Sequence, residues 1–159
     1  MTPQEISDAL KAKLPDAVVD AKLDGVPDPW VKIAPAKILE AATLLHDDEA
    51  MQFDFLMCLS GVDYGKGMLG VVYHCFSMTK KHKICLKADV PVATPELPSV
   101  ASIWPTANWH EREAYDMFGI VFTGHPDLRR ILCPEDWDGY PLRKDFKVPE
   151  FYQGMKVPY

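Results

Sequence analysis

Clustered cysteines are missing from this chain of 159 residues. Its four cysteines, Cys58, Cys75, Cys85 and Cys133, form no C-x-x-C pair. Iron–sulfur and structural zinc sites need thiolates at short spacing, so the spacing argues against both kinds of site. A disulfide framework is not expected either, because the N-terminal sequence shows no apolar segment of a secretory signal. We therefore expect a soluble protein whose thiols stay reduced.

Long apolar runs and an excess of basic residues are also missing. No segment approaches the roughly 20 consecutive apolar residues that a membrane-spanning helix needs. The 17 Lys and Arg residues are outnumbered by 23 Asp and Glu residues, which gives a formal net charge of −6. Proteins that bind nucleic acid show a basic balance or stripe, and anionic lipid attracts basic segments. The charge therefore argues against both partners.

Apolar periodicity predicts an α+β fold with a mixed or antiparallel sheet of about four to five strands and helices packed on it. Helices are predicted over residues 3–14, 35–46, 97–104 and 109–118. Strands are predicted from Ala17, from Pro27, across 51–67, and in two runs within 68–90 that a turn at 79–82 connects. The run from Met51 is the most apolar, which predicts a buried strand. Alternation from Ile84 to Val90 indicates a sheet with one wetter face.

The composition changes after Gly124. Residues 125–159 contain five prolines and six aromatic residues, together with six basic and six acidic residues. Prolines prevent long helices and central strands, yet the apolar content is too high for ordinary solvated disorder. We predict a core domain over residues 1–124 and an extended, irregular C-terminal tail over residues 125–159. A segment that cannot build its own core is expected to dock on a partner.

Ionisable residues are densest between Trp109 and Leu132. The helical zinc motif H-E-x-x-H would need a histidine where Ala114 stands, so a structural role is favoured over a metal site. No nucleophile motif accompanies His125, which is therefore expected to anchor backbone. A stand-alone metalloenzyme remains the less favoured alternative, and its candidate ligands are His110, Glu111, Glu113 and Asp116.

The same stretch predicts a capped helix that ends at Gly119. Asn108 is the expected N-cap, Glu111 completes a capping box, and Arg112 pairs with Asp116 one turn later. Glycine at the C-terminal end is typical of a helix stop. Beyond the helix, local ion pairs are predicted between Asp127 and Arg129 or Arg130, and between Asp145 and Arg143 or Lys144.

Three segments, in chain order, resemble the signature of the thirty-kilodalton-type subunit of respiratory complex I: EREAYDMFGI, GHPDLRRIL and PEDWDGYPLRKDF. In bacteria this is the C-type subunit of NADH:quinone oxidoreductase, and the J-type subunit is its plastid and cyanobacterial relative. The resemblance carries over these signature residues, with roles in folding and docking: Glu111, Arg112, Glu113, Asp116, Gly119, His125, Pro126, Arg130, Pro141, Arg143, Lys144 and Asp145.

The resemblance implies a non-catalytic, peripheral-arm subunit of a proton-translocating NADH:quinone oxidoreductase, with no cofactor of its own. Its expected partners are the forty-nine-kilodalton-type quinone-site subunit, where quinone binds, and the subunits that carry the iron–sulfur clusters. Membrane association is then indirect, at the cytoplasmic face of the inner (plasma) membrane, or at the stromal or matrix face in an organelle. The equivalent subunit of a membrane-bound energy-converting hydrogenase remains the main alternative.

Overall fold

The computed structural model describes residues Met1–Val157, so Pro158 and Tyr159 of the predicted tail lie outside the described residues. The helices are α1 (Pro3–Lys13), α2 (Ile38–Asp47) and α3 (Ala107–Phe118), with a short 3₁₀ turn at Pro35–Lys37. The strands are β1 (Val18–Lys22), β2 (Trp30–Ile33), β3 (Phe55–Gly65), β4 (Met68–Phe76), β5 (Lys83–Pro91), β6 (Glu96–Pro98), β7 (Val121–Thr123), β8 (Phe151–Tyr152) and β9 (Met155–Lys156).

The first five strands form one mixed sheet in the order β1-β2-β5-β4-β3. The β2–β5 pair is parallel and the remaining pairs are antiparallel. One buried cluster combines all three helices with alternate residues of the sheet, including Leu10, Leu45, Tyr73, Leu86 and Ala114. The other face of the sheet, here called the open face, carries half-buried side chains. The predicted α+β class and mixed sheet are confirmed.

The helix predicted over residues 97–104 is wrong. Residues Glu96–Pro98 form β6, which pairs in parallel with β7, and the chain then turns through Trp104. Proline at position 98 disfavours helical backbone at Leu97 and cannot donate a hydrogen bond. The side chain of Trp104 is nevertheless buried, and its indole N–H donates to the carbonyl of Phe53 at 2.8 Å.

The most apolar run is not a fully buried strand. β3 lies at an edge of the sheet, and Phe55 and Met57 are 46% and 42% exposed. A bulge between Leu56 and Cys58 shifts the register against β4. The apolar side chains of β3 therefore lie on both faces of the sheet. Helix α3 covers only one of these faces, where Ala114 and Phe118 pack close to Gly61.

Helix α3 begins at Ala107, two residues earlier than predicted, and the predicted capping box is wrong. Thr106 precedes the helix with helical backbone and without a side-chain cap hydrogen bond. Glu111 is fully buried instead of folding back on the helix N-terminus. The predicted stop is confirmed, because Gly119 adopts the left-handed conformation with φ of 72° and donates its N–H to the carbonyl of Tyr115.

Candidate docking site

The carboxylate of Asp116 joins helix α3 to the tail. One of its oxygens accepts from the Arg130 guanidinium at 2.7 Å. The other accepts the consecutive backbone N–H groups of Ile131, Leu132 and Cys133 at 3.0, 2.7 and 2.9 Å. Burial alone would raise the pKa of Asp116, but these donors together outweigh burial and hold the pKa below its usual value. The carboxylate therefore stays charged where the tail begins.

The tail also caps the C-terminal end of α3. The last carbonyls of a helix have no partner within the helix and need donors from elsewhere. Here the carbonyl of Asp116 accepts from Arg130 at 3.2 Å, that of Met117 from the Leu142 N–H at 3.1 Å, and that of Phe118 from Arg143 at 2.6 Å. Two guanidinium groups thus lie at the negative end of the helix dipole.

Arg130 fixes the course of the next segment of the tail. Its second terminal nitrogen donates to the carbonyls of Trp137 and Gly139, each at 3.0 Å. Arg112, the predicted partner of Asp116, does not reach it. Its guanidinium donates to the carbonyls of Arg129 and Arg130 at 3.2 and 3.4 Å. The predicted pair of Arg112 with Asp116 is therefore wrong, since the charge partner of Asp116 comes from the tail.

His125 anchors the backbone at two points. Its Nδ1 accepts the N–H of Asp127 at 3.0 Å, and its Nε2 lies 3.1 Å from the carbonyl of Asn108. Because Nδ1 acts as an acceptor, Nε2 carries a proton and donates it to the Asn108 carbonyl. The carboxylate of Glu111 is 3.9 Å from Nε2, too far for a hydrogen bond.

Gly119 provides the space in which Tyr140 packs. A Cβ atom at position 119 would lie 2.5 Å from Cζ of Tyr140 and 2.8 Å from a guanidinium nitrogen of Arg143. The guanidinium of Arg143 stacks 4.5 Å from the centroid of the Tyr140 ring. Tyr140 was not among the predicted site residues, and only the glycine at position 119 hinted at a close neighbour.

Gly119→Ala is expected to lower the free energy of unfolding by about 2–4 kcal/mol, because it adds a steric clash to left-handed backbone strain. Gly124→Ala is the matched control, since Gly124 has φ of 82° but nothing within 4 Å of its Cβ position. The control should therefore lose only the backbone part, about 1–2 kcal/mol. Urea unfolding measures both, and equal losses would contradict the packing role of Tyr140.

The next contact of the tail is with the end of β3, just before the turn that leads to β4. The N–H of Lys144 donates to Asp63 at 2.8 Å, and its ammonium lies beside Gly65. The Lys144 and Gly65 N–H groups hold the pKa of Asp63 below its usual value against the effect of burial. Asp63 was missed by the sequence reasoning, because nothing local links it to a residue 81 positions later.

The local ion pairs predicted in the tail are only partly present. Arg129 pairs with Asp127 at 2.9 Å, and both side chains are exposed. Arg143 binds the Phe118 carbonyl instead of Asp145, because the helix end offers an orphan acceptor. Asp145 is exposed, and within residues 1–157 no ion pair involves it.

Glu111 occupies a buried polar pocket beside the root of the tail. Its two oxygens accept from the Ser99 hydroxyl at 2.5 Å and from the Val100 N–H at 2.8 Å. Burial raises the pKa of Glu111 to about 7, although both hydrogen bonds act in the opposite direction. The hydroxyl of Tyr73, buried without a hydrogen-bond partner among the described residues, has its pKa raised chiefly by burial and also by the charge of Glu111.

The candidate metal ligands do not converge. Glu111 is engaged by Ser99 and Val100, Asp116 is saturated by tail donors, and Glu113 is exposed. Across Met1–Val157, no group of three His, Cys, Asp or Glu side chains is arranged to hold a metal ion. The arrangement serves to hold a chain segment, and the metalloenzyme alternative has no ligand set in this part of the chain.

Apolar side chains point outward along the tail. They are Leu132, Leu142, Val148, Phe151 and Met155, each more than half exposed. Two hydrogen bonds connect the β8–β9 hairpin to Asp136. Its carboxylate accepts from the Tyr152 hydroxyl at 2.7 Å and from the Gln153 amide at 2.9 Å. The Tyr152 ring also packs on Trp137, with centroids 5.1 Å apart. The hairpin is thus connected to residues 136 and 137 of the tail, while the five apolar side chains remain exposed.

Comparison with known proteins decides the family. Residues 31–152 match the family described as the 30 Kd subunit of respiratory-chain NADH dehydrogenase. The chain belongs to this family. The C-type subunit of NADH-quinone oxidoreductase from Chloroherpeton thalassium is 56% identical over 94% of the chain, and the chain spans 63% of that relative's length. The resemblance read from the three sequence segments is confirmed.

Solved structures share the fold. A trypsin-resistant fragment (1–134) of Nqo5 is 31% identical, with a TM-score of 0.67, over 80% of this chain and all of the fragment. The membrane-bound sulfane sulfur reductase, an archaeal respiratory membrane complex, contains a chain that is 25% identical. Its TM-score is 0.75 over 91% of this chain and 85% of that one.

The signature residues of this family member fall into two groups. Glu111, Arg112, Asp116 and Gly119 are buried on α3, and His125, Arg130 and Arg143 reach back to that helix. The remaining ones are exposed or half-buried along the outside: Glu113, Pro126, Pro141, Lys144 and Asp145. Within the first group, Arg112, Asp116, His125, Arg130 and Arg143 connect the tail to α3, while Glu111 bonds to Ser99 and Val100 of the core.

Proposed function

We propose that this chain is a cofactor-less subunit in the peripheral arm of a proton-translocating NADH–quinone oxidoreductase and docks there on the forty-nine-kilodalton-type quinone-site subunit. The iron–sulfur subunits are its other neighbours, and the redox groups and quinone belong to those partners. The observation that carries the proposal is the tail, which core residues hold in one course while its apolar side chains face outward.

The outward side chains supply what a protein interface needs. Interfaces combine a few buried aromatic or aliphatic anchors with a polar rim. In the tail, Leu142 and Phe151 are 54% and 59% exposed, and the exposed charged residues Lys144 and Asp145 lie between them in the sequence. Because the tail is already held in place, docking costs less conformational entropy than it would for a free segment.

The division of the chain after Gly124 into a core domain and a docking tail remains a prediction. The tail is hydrogen-bonded to the core at α3 and at Asp63, so it is not detached in the single chain. The trypsin resistance of the Nqo5 fragment supports a protease-stable core of similar size, since that fragment matches 80% of this chain. We propose that residues 125–157 gain their further partners on assembly.

Membrane association is proposed to be indirect. Across Met1–Val157 the structure has no helix with the length and apolar character to cross a membrane. Contact through the complex, at the cytoplasmic face of the inner membrane or the corresponding face of an organelle, needs no such helix. Nucleic acid is not proposed as a partner, because the chain carries a net charge of −6.

The double variant Leu142→Asp/Phe151→Asp is expected to lose its place in the complex. Each buried anchor contributes about 2 kcal/mol or more, and each 1.4 kcal/mol weakens association about tenfold. Val19→Asp is the matched control, because Val19 is 64% exposed on β1 and lies outside the tail. Each protein would replace the native chain in cells, and its share in the isolated complex would be measured by mass spectrometry. Equal shares for both variants would refute docking through the tail.

The second candidate function is the equivalent subunit of an energy-converting hydrogenase or a related membrane complex. The structural similarity to a chain of the sulfane sulfur reductase complex supports this second candidate. In both candidate functions the tail docks on neighbouring subunits, and the two differ in which subunits these are. Subunit identification in the isolated complex separates them, because quinone reductase and hydrogenase partners are different proteins.

A further inference from the structure

A cleft of about 380 Å³ crosses the open face of the sheet, on the side away from the three helices. It is lined by two aromatic residues, three lysines, one acid and two further residues: Trp30, Tyr64, Lys32, Lys66, Lys87, Asp89, Gly65 and Met68. None of them belongs to the signature segments or to the tail. The cleft therefore requires its own explanation.

The cleft is built by close packing of the sheet. A Cβ atom at position 70 would lie 2.5 Å from Cε2 of Tyr64, so Gly70 allows the Tyr64 ring to lie against the strand. On the opposite side, the ammonium of Lys87 is 4.4 Å from the centroid of the Trp30 ring. Two aromatic rings thus form apolar walls, and they are carried by the rigid strands β2 and β3.

Two of its three lysines lack an acidic partner among the described residues. Lys32 pairs with Asp89 at 2.8 Å. No carboxylate of residues 1–157 lies within 4.0 Å of the ammonium groups of Lys66 and Lys87. In a chain with a net charge of −6, this is a local concentration of uncompensated positive charge. Such a surface is complementary to a carboxylate of another molecule.

The cleft is also continuous with the tail. The ammonium of Lys144 lies beside Gly65, at the β3–β4 turn that carries Lys66. The N–H of Lys144 donates to Asp63, which lies near the end of β3 just before this turn. A partner that covers the tail at this point would have its next segment at the mouth of the cleft.

We propose that the cleft on the open face receives an acidic segment of a partner protein, with a carboxylate between Lys66 and Lys87 and apolar atoms against Trp30 and Tyr64. Charge complementarity selects the acidic group, and the aromatic walls favour a peptide over a bare anion. This second contact goes beyond docking through the tail and does not depend on which tail residues are the anchors.

Zero-length cross-linking of the intact complex tests the occupant. A carbodiimide joins a lysine amine to a carboxylate only where the two are in contact. A cross-link from Lys66 or Lys87 to an Asp or Glu of another subunit is expected, together with loss of acetylation of both lysines by an N-hydroxysuccinimide ester. Lys11, exposed on α1, provides the reference for labelling. Unchanged acetylation relative to the isolated chain would overturn the proposal.

Protection without a cross-link would also overturn it. If the protection then disappears when lipid is removed with detergent, the occupant is an anionic headgroup and not a protein carboxylate. If it persists, a neutral protein surface covers the cleft. Incorporation of the chain with both lysines accessible would leave the proposed function intact and refute only this contact. Failure of the wild-type chain to enter any complex would refute the proposed function itself.

Charge-reversal variants provide a second test of the acidic occupant. Lys66→Glu/Lys87→Glu is expected to weaken association of the purified chain with a complex lacking it by about tenfold, the effect of losing close charge pairs. Lys11→Glu is the control and should associate as the wild type does. Lys11→Glu should keep the melting temperature of the isolated chain. The charge-reversed double variant should lower it only slightly, through loss of the Lys87–Trp30 contact, because Lys66 and Lys87 have no carboxylate partner among the described residues. Normal association of the double variant would contradict the acidic occupant.

Discussion

Asp116→Ala is expected to lower the free energy of unfolding by about 3–5 kcal/mol, the cost of breaking a buried, fully hydrogen-bonded charge pair. The substitution removes the acceptor of three consecutive backbone N–H groups and leaves the guanidinium of Arg130 without its carboxylate. Those donors lie at the root of the tail, so the segment from Ile131 should open before the core unfolds. Hydrogen exchange would show faster exchange at residues 131–133, and urea unfolding would give the total loss.

Asp127→Ala is the matched control for this prediction. Asp127 also pairs with an arginine of the tail, Arg129 at 2.9 Å, but both side chains are exposed. Exposed pairs contribute about 0–1 kcal/mol, so the control should remain close to the wild type. Equal free energies of unfolding for the two variants would show that the hydrogen bonds of Asp116 do not hold the tail on the core.

Glu111→Gln is expected to stabilise the protein at alkaline pH. Burial raises the pKa of Glu111 to about 7 from the ordinary 4.5. Between these pH values the folded chain keeps a proton that the unfolded chain has released, so the free energy of unfolding falls as pH rises through this window. The full loss is about 3 kcal/mol above pH 7, at 1.36 kcal/mol for each pKa unit. Glutamine keeps the shape and does not ionise.

The measurement is urea unfolding of wild type and Glu111→Gln between pH 4 and pH 8. The wild type should lose stability relative to the variant as pH rises, and the difference should have grown by about 3 kcal/mol at pH 8. Glu113→Gln removes a carboxylate from the same helix at an exposed position and serves as the control. A difference between wild type and Glu111→Gln that is independent of pH would show that Glu111 does not titrate in this window.

Local patterns were sufficient for much of the fold. The alternation from Ile84 to Val90 predicted a half-buried strand, and Gly119 marked the end of α3 correctly, because both depend on neighbouring residues. The run from Leu97 to Trp104 misled, since its apolar residues pack as a short strand and a turn against β7. Whether β3 is central or at an edge depends on strand order, which periodicity does not contain.

The site depends on contacts between distant residues. Arg112 is one helical turn from Asp116 and was the natural local partner, but Arg130 takes that place because the tail folds back over the end of α3. Asp63 and Tyr140 were missed for the same reason. The three signature segments identified the family, although the contacts that make them a unit became visible only in the folded chain.

Substitutions in the tail test docking more cleanly than truncation of the tail does. Truncation after Gly124 would remove the donors that satisfy the buried carboxylate of Asp116 and the last carbonyls of α3. Loss of assembly could then reflect an unstable core, since an unpaired buried charge is strongly destabilising. Substitutions of outward side chains such as Leu142 and Phe151 leave these internal bonds in place and separate docking from folding.

The most direct test of the proposed function is isolation of the native complex through an affinity tag on this chain, followed by mass spectrometry of its subunits. The proposal predicts the forty-nine-kilodalton-type quinone-site subunit and the iron–sulfur subunits in equal amount with the chain, and their loss in Leu142→Asp/Phe151→Asp. Recovery of the chain alone, or with hydrogenase subunits in place of the quinone-reducing partners, would contradict it.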